Sequence, residues 1–148
     1  MKYSIEQKEK GENEVIVRYS EMDHETSRVI DFLKNNDKKL SGSVDGSVVI
    51  IDRSSILYIE SVDGKTFAYT NDQVIRLEQP LNQLENILDE INFFRCSKSM
   101  ILNIDKVSSL KSLASNRIDA TMRNGEHIMI SRTYASDFRR LLRQFVNE

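Results

Sequence analysis

From Leu40 onward the chain alternates short apolar runs with tight turn signals. Leu40 to Val44 reads as a short strand, and Asp45-Gly46 follows it. That pair suits a two-residue hairpin, in which both central residues need positive φ. Val48 to Ile51 is the return strand. Ile56 to Ser61 is the next strand, and Asp63-Gly64 repeats the turn signal before Thr66 to Thr70 and Val74 to Leu77. The tetrapeptide Ser-Val-Asp-Gly occurs at 43–46 and again at 61–64, which we read as repeated hairpin chemistry. After Pro80 the period changes. Leu81, Leu84, Leu88 and Ile91 recur at helical spacing. Met100 to Ile104, Val107 to Leu113 and Arg117 to Met122 are again strands. Asn124-Gly125 is a third hairpin signal, and His127 to Ile130 returns from it. Ser131 can cap a last helix, with Tyr134, Phe138, Leu141, Leu142 and Phe145 on one face.

The first 40 residues read as a small attachment. Glu14 to Tyr19 is a strand candidate. Asp23 can cap a helix with Glu25 in its first turn, an apolar stripe at Val29, Ile30, Phe32 and Leu33, and a stop at Asn35-Asn36-Asp37. One strand and one helix make no core of their own, so the segment should pack on the main domain or on a second subunit. The expected class is mostly β with short helices, an α+β chain. Its divisions are a strand-helix segment over 1–40 and a main domain over 41–148.

The pattern turns unusual at Phe93-Phe94-Arg95-Cys96-Ser97-Lys98-Ser99. An aromatic pair leads into a polar, basic crest, and an apolar strand follows. Stiff neighbours would hold the Lys98 charge in one place, so less freedom is lost on binding. Charge supports this emphasis. The 148 residues have a net charge of −2. Residues 1–92 carry 11 Lys/Arg against 18 Asp/Glu, net −7, while residues 93–148 carry 10 against 5, net +5. One basic half suits a polyanion on one side only.

Catalytic signals are nearly absent. There is no P-loop, dinucleotide fingerprint, zinc-protease helix or nucleophile elbow. No Cys/His cluster suggests a metal, and no cofactor is expected. His127 alternates with apolar neighbours as a strand residue does. Cys96, the single cysteine, excludes an internal disulfide and fits a reducing cytoplasm. It reads as a small residue at a strand start. A thiol activated by Arg95 and Lys98 is the alternative. Three cations stand at element ends: Lys65 after a turn, Lys98 on the crest, and Arg132 at the first turn of the last helix. Such residues can pair with guanine edges. Arg123 and Asn124, in a turn, are further candidates for phosphate or base contact.

The run Phe-Phe-Arg-Cys-x-x-Ser-x-x-Leu-Asn, with the downstream Arg-Asn-Gly-Glu turn and Ile-Ser-Arg, resembles the LytTR-type DNA-binding domain over about residues 42–147. The resemblance implies an elongated, layered β fold that reads duplex DNA with loops instead of a recognition helix. Carried over by motif, three contacts fall on Lys65 (with Thr66 as its rival by one residue), Lys98 and Arg132. Ser97 and Ser99 become phosphate contacts, and Arg95 and Asn103 become structural. Most relatives carry an N-terminal phospho-receiver, but only about 41 residues precede the domain here, so a histidine kinase is not the expected switch. The resemblance also implies a membrane-protein inhibitor as partner. The resulting expectation is a cytoplasmic, non-enzymatic transcription regulator. It would bind paired, directly repeated sites as a homodimer and take no small-molecule substrate. The competing expectation is a β-rich interaction module that docks an acidic protein on its basic C-terminal face.

Overall fold

The computed structural model describes residues 1–35, 39–88 and 92–146. Among them the elements are α1 (His24–Asn35), β1 (Lys39–Val44), β2 (Ser47–Asp52), β3 (Tyr58–Val62), β4 (Lys65–Tyr69), β5 (Val74–Leu77), α2 (Leu81–Ile87), β6 (Phe93–Ser97), β7 (Met100–Asn103), β8 (Val107–Leu113), β9 (Arg117–Met122), β10 (His127–Ile130) and α3 (Arg132–Val146). The chain is mostly β, as its alternation predicts. Asn36, Asp37, Ile91 and the side chain of Phe145 lie outside the described residues.

Seven strands form one sheet in the order β2-β1-β5-β4-β3-β7-β6, and three form a second in the order β10-β9-β8. Every pairing is antiparallel. Successive residues of a strand point to opposite faces, so the larger sheet builds two cores. Ile59 of β3 and Ile101 of β7 join Ile75, Leu77 and the α2 residues Leu81 and Leu84 on one side. Tyr58 and Leu102, their chain neighbours, join Ile118, Ile128, Ile130 and the α3 residues Ala135 and Phe138 on the other. The layers are therefore α2, the seven-stranded sheet, then the small sheet with α3. Phe93 and Phe94 divide in the same way. Phe93 lies in the first core, and Phe94 meets Phe138 in the second, with ring centroids 5.1 Å apart and planes tilted by 54°.

Two hairpins carry the backbone that Asp-Gly predicts. Asp45 and Gly46 have φ of 49° and 82°, and Asp63 and Gly64 have 51° and 76°. Both pairs are in the left-handed region that a two-residue turn demands. The third turn differs. Of Asn124 and Gly125, only Gly125 is left-handed, at φ 90°. Gly125 N–H donates to Met122 O at 2.9 Å and Met122 N–H donates to Glu126 O at 2.8 Å, which closes a three-residue loop.

The N-terminal segment is half as expected. Asp23 Oδ1 accepts the Thr26 N–H at 2.7 Å and caps α1. The hydrogen bonds from Thr26 hold the Asp23 carboxyl below its usual pKa. Arg28 pairs with Asp105 at 2.8 Å, so α1 packs on the main body. Glu14–Tyr19, expected as a strand, is in none. Its β-branched residues suit a strand, but among the described residues none pairs with it in a ladder, and Val15 and Ile16 remain 71% and 63% exposed.

Candidate nucleic-acid interface

The crest is the turn of the β6–β7 hairpin. Arg95 fixes its shape from beneath. Arg95 Nε donates to Ser97 O at 2.7 Å, one terminal nitrogen donates to Lys98 O, and the other pairs with Glu85 of α2 at 2.9 Å. The Arg95 side chain is 18% exposed, so these charge-assisted bonds work in a partly desolvated setting. Ser97 Oγ accepts the Ser99 N–H at 3.2 Å and tightens the same turn. Asn103, 2% exposed, anchors the base of the hairpin. Its Nδ2 donates to Ile56 O at 2.7 Å, and its Oδ1 accepts the Asp105 N–H at 3.1 Å. Arg95→Ala should cost about 1.5–3 kcal/mol of stability, the range for bonds to a charged group. It should also weaken any ligand held by Lys98, although Lys98 itself is untouched. Thermal melts and ligand titration of that variant check both effects.

Strand order brings two further cationic places to the crest. β7 lies beside β3, and Ser61 N–H donates to Ser99 O at 2.8 Å. The Asp63-Gly64 turn and Lys65 therefore stand next to Lys98. On the other side, Ser131 N–H donates to Cys96 O at 2.9 Å, which sets the first turn of α3 against the crest. Arg132 opens that helix. A cation at a helix N-terminus opposes the dipole, whereas Arg143 in the last turn agrees with it. A local rule broken in this way marks a position kept for another reason. Lys65, Lys98 and Arg132 are all exposed. Among the described residues none of the three is in an ion pair, while Arg28, Arg95 and Arg140 all are. Three exposed cations at adjoining element ends give this end of the fold a positive charge.

Three candidates are placed differently. Thr66 is 4% exposed. It points into the sheet because β4 alternates, so Lys65 is the residue that faces out. Arg123 and Asn124 lie at the far end of β10, away from the crest. Their turn is held by Arg123 N–H to Lys106 O at 2.8 Å and by Asn124 Nδ2 to Glu126 Oε1 at 2.6 Å. The other Glu126 carboxylate oxygen accepts the Tyr58 hydroxyl at 2.7 Å. An interface built on the crest leaves both residues aside. The hairpin between β8 and β9 supplies a cation that the pattern did not single out. Arg117, exposed, follows the left-handed pair Ser115 and Asn116 with φ of 62° and 56°. Ile118 pairs with Ile130, so Arg117 stands at the Arg132 end. Ser-Asn between two strand patterns was its available signal.

Cys96 is fully buried, and burial pushes its thiol up to about 12. The activated-thiol alternative is thereby corrected. The Arg95 charge lowers the value less than desolvation raises it.

The layered fold and its cationic loop end define a β-rich nucleic-acid-binding class of domain. Residues 46–143 match the LytTr DNA-binding domain, and the chain belongs to that family. The sensory transduction protein LytT of Bacillus cereus is 30% identical over 105 residues, 71% of this chain and 43% of that one. The transcriptional regulatory protein LytR of Staphylococcus aureus is 23% identical over 132 residues, 88% of this chain and 54% of that one. A solved LytTr DNA-binding domain from Bacillus cereus superposes with a TM-score of 0.68 at 26% identity, over 70% of this chain and 95% of that one. The chain thus spans about half the length of the curated relatives it matches. No helix among the described residues is long and apolar enough to cross a membrane.

Proposed function

We propose that this chain is a cytoplasmic transcription regulator that binds duplex DNA in a sequence-specific way. Lys65, Lys98 and Arg132 enter the grooves from adjoining element ends, and Ser97 and Ser99 meet the phosphate backbone. Residues 41–148 form the reading unit, and two copies occupy paired, directly repeated sites. The observation that carries this reading is the meeting of three unpaired cations at one end of the fold. Phosphate contacts supply most of the affinity of such an interface, and contacts to base edges supply its specificity.

Arg132→Ala tests the assignment of a base contact. If Arg132 pairs with guanine, the variant loses about 1–3 kcal/mol on the best site and relaxes one base preference. Uniform weakening across sequences makes it a phosphate contact instead. Unchanged affinity removes it from the interface.

A further inference from the structure

A segment rich in β-branched residues lies outside the sheets, and one outer strand is left unprotected. β2 is the outer strand of the seven-stranded sheet. It reads Ser-Val-Val-Ile-Ile-Asp, without the lysine, proline or bulge that normally protects an edge. The β1–β2 hairpin closes on the Val44–Ser47 pair, so Ser47, Val49 and Ile51 bond inward to β1. Val48, Ile50 and Asp52 turn their backbone polar groups outward. On the open face Val48 and Ile50 are 79% and 70% exposed. Residues 14–19 have the β-branched run of a strand and no ladder among the described residues. The ion pairs of their segment among the described residues are exposed ones, Met1 to Glu25 at 3.7 Å and Lys8 to Glu14 at 3.4 Å. Exposed pairs of this kind hold weakly.

We propose that residues 14–19 of one copy add to the β2 edge of a second copy as a parallel strand. The register is set by charge and by face. Ile16 lies beside Ile50, Arg18 beside Asp52 and Glu14 beside Val48 on the open face. Val15 and Val17 extend the inner face beside Val49 and Ile51. The antiparallel pairing that also keeps Ile16 beside Ile50 sets Glu14 against Asp52, two like charges directly opposite. Strand addition of this kind draws affinity from main-chain bonds and register from alternate side chains. One segment on one edge relates successive copies head to tail, as directly repeated sites require. The inference rests on the paired-site reading above and names the contact that joins the two copies.

The test uses full-length chains that differ at single positions. Ile16→Cys in one preparation and Ile50→Cys in another are mixed and oxidised, with Cys96 buried out of reach. The expected product is a disulfide between the two kinds of chain. Arg18→Glu in the first chain or Asp52→Arg in the second should suppress it, and the two together should restore it. On a duplex with two sites, Ile50→Lys should remove about 10²-fold of cooperative affinity, with single-site affinity and melting unchanged. Absence of the mixed disulfide, or cooperativity indifferent to Ile50→Lys, overturns the proposal. If the unmodified chain binds no single site, the DNA reading itself fails, and the cross-link still reports on the contact independently.

Discussion

Lys98→Glu is expected to lower affinity for a specific duplex by about 10²-fold, on the order of 3 kcal/mol, with little change in melting temperature. The lysine stands at the turn of the β6–β7 hairpin, exposed, with its carbonyl held by Arg95. Its backbone is therefore held, and the exposed side chain can change at no cost in buried contacts. The glutamate both removes a cation and sets an anion against the phosphates. Lys98→Ala should move affinity in the same direction by a smaller amount, because it removes the attraction without adding repulsion. Gel-shift titration of both variants beside thermal melts separates binding from folding. A large fall in melting temperature would mean that the crest packs against something, and the placement of Lys98 would be wrong.

The largest effect on stability is expected from Gly42→Ala. Gly42 lies in β1 where the first hairpin crosses onto β5, joined there through the Ser43–Arg76 pair. A Cβ at Gly42 would stand 2.4 Å from Ile75 Cγ2 and 2.6 Å from the Arg76 carbonyl oxygen. Ile75 is fully buried and stiff at χ1, so its methyl has little room to yield, and the carbonyl belongs to the sheet and cannot move without parting the strands. Overpacking of this kind costs about 2–3 kcal/mol, or about 5–10 °C in melting temperature at this chain length. DNA affinity at low temperature should change little, because β1 stands four strands from the crest strand β7 in the order β1-β5-β4-β3-β7. Calorimetry and titration at 10 °C and near the melting range distinguish a weakened fold from a damaged site.

The two Asp-Gly hairpins were legible because their chemistry is local, with both central residues left-handed and the strands simply alternating. Pro80 and the leucines after it marked α2 for the same reason. The site was legible only in part. Lys65, Lys98 and Arg132 could be picked out singly as cations at element ends, but their meeting depends on β7 lying beside β3. That pairing joins Tyr58 to Leu102, far apart in the chain, and no local periodicity encodes it. The same non-local order sends Arg123 and Asn124 to the opposite end, and it brings Arg117 toward Arg132. Thr66 shows how parity decides exposure, since a shift of one residue along β4 turns a side chain from solvent into the sheet. Glu14–Tyr19 shows the converse: strand propensity describes what a segment can pair with, and among the described residues it is paired with no strand.

Whether the crest end reads duplex DNA is decided by selecting bound sites from a random duplex pool and titrating the selected duplex across salt concentrations. One enriched sequence is expected, with an affinity that falls linearly in log–log form with salt. Lys65→Ala, Lys98→Ala and Arg132→Ala should each either lower the slope by about one unit or relax one base position. Selection that enriches no sequence, or affinity that none of the three substitutions changes, would mean that the crest end does not read DNA.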